Sequence, residues 1–99
     1  MKNQHFHLEF VEQGVVFEDD LEHYCSYAIY HAGFSQSVII RFSSRLDHFS
    51  VVVLPGNLFF RQFKEQYLQL SADTFSANAF PSEEAAADFS RLLLEPEAA

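Results

Sequence analysis

The chain has no tryptophan, one cysteine, three glycines and three prolines. A single cysteine, Cys25, excludes an internal disulfide, and a lone thiol suits a reducing compartment. Basic residues are scarce as well, six Lys and Arg against fourteen Asp and Glu, for a net charge of −8. Such a field repels phosphate at range, so generic binding to nucleic acid or an anionic membrane is disfavoured. No window approaches the ~18 uninterrupted apolar residues of a membrane span. The opening stretch MKNQHFHLEF lacks the apolar run of a signal peptide, which makes the cytoplasm the expected location. Walker and dinucleotide-binding glycine patterns are missing, and no serine sits in a nucleophile-elbow setting. The sequence therefore argues against a recognisable catalyst. There is also no internal repeat and no low-complexity segment.

What is abundant is apolar bulk. Hydrophobic residues make up 48% of the 99, with twelve Phe and four Tyr. That is far from disorder, and the length fits a single globular domain, residues 1–99, with a frayed tail from about residue 95. A chain of this size buries about 65% of its unfolded surface, enough to fold without disulfides. The charge is unevenly spread. Residues 41–64 carry a local balance of +3, so the rest of the chain is strongly acidic.

Residues 5–11 alternate, with Phe6, Leu8 and Phe10 on one face and His5, His7 and Glu9 on the other, which predicts a half-buried strand. Gly14 can turn the chain, and Val15-Val16-Phe17 then reads as a short returning strand or a loop edge. Glu18-Asp19-Asp20 suits a helix start, and Leu21, Cys25, Ala28 and Ala32 share one side of a helix ending near Gly33. Residues 37–43 and 49–54 read as strands joined by the polar loop 44–48. Asn57 is the expected cap of a second helix, LFFRQFKEQYLQL, whose far end, residues 67–72, reads equally as strand. Ser82 caps a last helix with Ala85, Ala86, Phe89, Leu92 and Leu93 as its buried face, and Pro96 closes it.

Two element orders remain open. One is strand–helix–strand–strand–helix–strand–helix. The other makes residues 5–17 a hairpin and repeats strand–strand–helix before an added helix. The first resembles the phosphocarrier protein HPr in element order and length, not in motifs. At the junction GVVFEDDLEH this chain has acids where that family holds its phosphorylated histidine and arginine. Either order implies an α+β, two-layer open-faced sandwich, an antiparallel sheet of about four strands with two or three helices on one face.

On a helix, His23, Tyr27 and Tyr30 point away from the core. Tyrosine is enriched at interfaces because its rigid ring joins apolar area to a polar tip. Leu58 and Phe60 fall off the main stripe of their helix, and Ile39 falls on the outer sheet face, so these six are the candidate partner-binding residues. Asn57 and Arg61 at a helix start form a weaker candidate for an anion. His5, His7 and Glu9 could ligate a metal, but a wet strand face accounts for them, and no metal or cofactor is expected. Cys25 falls in the apolar stripe and reads as structural. The expectation is a small acidic, non-catalytic protein-interaction module: a regulator, adaptor or inhibitor. Its partner would be a protein, basic or itself nucleic-acid-binding, with a homodimer left open. The alternatives are a ligand or metal carrier or enzyme using His5/His7 or Asn57, and an acidic mimic of nucleic acid.

Overall fold

In the computed structural model of the chain, residues 7–18, 22–68, 75 and 79–94 are described. Four strands follow one another, β1 (Leu8–Phe17), β2 (Tyr24–Ala32), β3 (Gln36–Ser43) and β4 (His48–Pro55). They pair antiparallel in chain order, β1-β2-β3-β4. Helix α1 (Phe60–Gln66) and helix α2 (Glu83–Leu93) come after the sheet. The class is α+β, a four-stranded antiparallel sheet with helices packed against it.

The segment expected to be a helix over residues 18–32 is, from Tyr24 on, the strand β2. It is a central strand, paired to β1 on one side and β3 on the other. Cys25, Tyr27 and Ile29 join one apolar cluster and Ala28 and Ala32 the other, so both of its faces are covered. A strand buried on both faces loses the apolar–polar alternation that identifies it, and its alanines then suggest a helix. Tyr24, Tyr27, Ile29 and Tyr30 are strand formers, and sheet pairing decides the outcome. Neither expected element order survives this change, and the order resemblance to HPr goes with it.

Gly14 does not turn the chain. It sits within β1 opposite Tyr27, and β1 runs on through Val15-Val16-Phe17, with a bulge between Phe10 and Glu12. A β-carbon at Gly14 would overlap the ring of Phe60, so the glycine lets α1 close down on the strand. Alanine normally strengthens a strand relative to glycine. Here Gly14→Ala is expected to destabilise by about 1–3 kcal/mol through overpacking, read from the midpoint of chemical denaturation. Positive φ occurs instead at Gly33, in the turn between β2 and β3, at Asp47 before β4 and at Gly56 after it, a backbone region that residues other than glycine rarely enter.

Alternating residues of the sheet build two clusters. Ala28, Ala32, Val38, Ile40 and Val51 meet Ala86 of α2 and Leu94 on one face. Tyr27, Ile29 and Ile39 meet Phe63 of α1 and Phe75 on the other. The side away from α2 is thus closed in part by α1. Helix α2 begins as expected, with the Ala85 N–H donating to Ser82 Oγ at 3.1 Å and Glu83 and Glu84 in its first turn. Its buried face is rotated from the expected one. Ala86 and Ser90 are buried, whereas Leu92 and Leu93 are exposed. Ser90 tolerates burial because its hydroxyl donates to the Ala87 carbonyl at 2.6 Å.

Candidate functional site

Helix α2 lies over β3 and β4. A four-stranded sheet at about 4.8 Å per strand spans two helix diameters of about 10 Å. Among the described residues no helix lies over β1 or the Tyr24–Ser26 end of β2 on this face, whereas Ala28 and Ala32 of β2 are buried in the cluster with α2. Pairing register puts Phe10 opposite Tyr30, Val15 opposite Ser26 and Phe17 opposite Tyr24 on this side. Phe10 is 54% exposed, Val15 48% and Phe17 59%. Ring contacts continue the patch inward. Phe17 meets Tyr24 at 6.2 Å, Tyr24 meets Phe42 at 6.2 Å, and Phe42 meets Phe49 at 4.9 Å. An aromatic row thus crosses the sheet, exposed at the β1 end and passing towards Phe80 and Phe89 beside α2.

Polar groups frame the row. Gln13 donates to Ser26 Oγ at 3.3 Å between β1 and β2, and Arg45 pairs with Glu18 at 3.1 Å beside the Phe17 end. At the boundary with α2 the Tyr30 hydroxyl donates to Glu83 Oε2. Burial, then the Glu83 bond and charge, push the Tyr30 phenol from 10.0 up to about 12. Losing a proton is harder in the folded chain, so Tyr30 contributes stability that is full below pH 10 and fades as pH rises towards 12. A phenolate absorbance titration should show a late phase that Tyr30→Phe abolishes. Glu83→Gln should lower it only in part, because burial remains the larger cause.

The residues chosen from sequence are scattered. Tyr27 is buried among the rings of Phe63, Phe60 and Phe75. Ile39 is fully buried, not on an outer face. Leu58 is buried too, its N–H donating to Ser37 Oγ and its carbonyl meeting His31 Nε2, each at 2.8 Å. Phe60 is half-buried over Gly14, and His23 lies half-buried in the connection before β2. Only Tyr30 stands on the aromatic face. The reason is the helix-to-strand change: residues 27 and 30 share a helix face but take opposite faces of a strand.

Asn57 does not cap α1; Phe59 holds that position. The Asn57 amide donates instead to the carbonyls of Gln36 at 3.0 Å and Gly33 at 3.4 Å. At the helix start the Phe60 N–H donates to the Glu12 carboxylate at 2.7 Å, so a side chain of β1 takes the role expected of an anion. Arg61 is exposed and pairs with Glu65 at 3.6 Å. His5 lies outside the described residues, as do residues 69–72 and the tail from 95, while His7 and Glu9 are exposed. Among the described residues no three His, Cys, Asp or Glu side chains group as metal ligands would. Cys25 is buried, as its structural reading requires.

Phe10, Val15, Phe17, Tyr24 and Phe42 are absent from the sequence-based set. Phe10 reads as core there because it alternates with Glu9, and both turn out exposed. The run VVF at 15–17 carries the usable signal: read as a strand, it puts Val15 and Phe17 on one side and Val16 on the other. Among the described residues no helix is long and apolar enough to cross a membrane. No family model matches the chain, and neither a curated protein nor a solved structure does.

Proposed function

We propose that the chain is a non-catalytic interaction module that receives a basic amphipathic helix of a partner protein on the exposed β1 edge of its sheet, beside α2. The observation that carries this reading is the exposed row Phe10, Val15 and Phe17 backed by Tyr24 and Phe42. Exposed large apolar side chains gathered on one strand of a small chain point to an interaction site. The exposed side chains line β1 at the edge of the sheet, and α2 on the same face shows how a helix lies on this sheet. Charge selects among occupants. A second copy would bring the same −8, whereas a helix flanked by Lys and Arg is drawn in by it.

Val15→Glu tests the reading, because it sets a carboxylate in the middle of the patch without touching the core. Immobilised wild type should retain a basic partner from native extract, more weakly as salt rises, and the variant should lose it with its melting temperature unchanged. Equal retention by the two proteins would refute the assignment. Concentration-dependent dimerisation of the wild type alone, abolished by Val15→Glu, would make a second copy the occupant.

A further inference from the structure

Three buried side-chain polar atoms among the described residues have no hydrogen-bond partner: Arg41 Nε, His48 Nδ1 and Ser50 Oγ. They belong together. Arg41 and Ser50 are direct cross-strand partners of β3 and β4, which puts their β-carbons about 5 Å apart. His48 is two positions from Ser50 on β4, hence on the same side of the sheet. That side is the one carrying Ile39, Val52 and Phe63, opposite the aromatic row. Elsewhere the buried serines are satisfied. Ser37 donates to Gly56 and accepts from Leu58, Ser43 accepts from the Leu46 N–H, and Ser90 donates to Ala87.

Arg41 makes the cluster more than a packing defect. Its side chain is 7% exposed, and its guanidinium carbon lies 4.8 Å from the centroid of the Phe75 ring. A ring face offsets only part of the cost of burying a full charge, which ordinarily needs an anion. The ion pairs formed among the described residues involve Arg45, Arg61 and Arg91. We propose that Arg41, Ser50 and His48 bind a small tetrahedral oxyanion of the phosphate class. The Arg41 Nε–H and the Ser50 hydroxyl donate to separate oxygens, and His48 Nδ1 supplies a third contact on the same side. Phe75 lies over the guanidinium and shields the charge pair from water. Since the chain repels anions at range, binding comes from these contacts and not from a general basic surface.

The test compares melting temperatures of the full chain in phosphate and in chloride at matched ionic strength, with phosphate affinity read by titration calorimetry. Wild type should melt higher in phosphate. Ser50→Ala removes an unsatisfied hydroxyl, so it should be at least as stable as wild type in chloride yet bind phosphate about tenfold more weakly. Arg41→Lys keeps the charge but loses Nε and should abolish the phosphate shift; Ser50→Ala carries the test should that variant fail to fold. Identical melting of wild type in the two salts overturns the proposal, as does an equal phosphate shift in wild type and Ser50→Ala. A shift from acetate as large as that from phosphate overturns the tetrahedral class.

Discussion

Phe63→Ala is expected to destabilise the fold by about 3–5 kcal/mol, the usual cost of truncating a fully buried phenylalanine. Phe63 is completely buried, with the Tyr27 ring at 4.9 Å, Phe60 at 6.4 Å and Tyr67 at 6.5 Å. It is the buried residue of α1, a helix of seven residues that is far too short to persist without tertiary packing. Removing the ring opens a cavity and frees α1 from the sheet together. Against a total stability of about 5–15 kcal/mol, that loss is a large fraction. For a domain this small it lowers the melting temperature by about 4–8 °C per kcal/mol. Leu92→Ala is the matched control. Leu92 is 79% exposed on α2, and its truncation should stay within about 0.5 kcal/mol. Comparable effects from the two would mean that the buried faces of the helices are misassigned.

The double substitution Phe10→Ala with Phe17→Ala should have the opposite signature. Both side chains are more than half exposed, so stability should change little. Partner affinity should fall about 30-fold or more, since central aromatic anchors of interfaces are typically worth 2 kcal/mol or above. Phe17 also holds one edge of the Tyr24 ring, and Phe10 holds Tyr30 edge-on at 5.4 Å, so each truncation also loosens the ring beneath. Surface plasmon resonance with the captured partner would measure the loss. Unchanged affinity at unchanged melting temperature would remove the aromatic row from the interface.

Much of the frame is legible in the sequence because some elements are specified locally. Ser82 with Glu83 and Glu84 marks the start of α2, and the polar run expected as a loop at 44–48 marks the β3–β4 hairpin, with His48 already in β4. The strand character of β3 and β4 follows from their β-branched runs. What is not legible depends on contacts distant in sequence. Strand β2 hides as a helix because each of its faces is covered by a different part of the chain. Gly14 looks like a turn because the Phe60 ring that requires it lies 46 positions onward. The site suffers most from this, since placing residues 27 and 30 on one face depends entirely on the helix reading. An exposed Phe10 is equally invisible from sequence: alternation identifies its side of the strand, but only the position of α2 decides whether that side is covered.

Photo-crosslinking tests the central claim most directly. A benzophenone side chain placed at Val15 lies on the exposed β1 edge of the sheet, and the same group at Leu46, 54% exposed in the β3–β4 loop, serves as reference. On irradiation in native extract, position 15 should give a discrete adduct with a different, basic protein, and position 46 should not. An identical pattern from both positions, or adducts only between copies of this chain, would contradict the account.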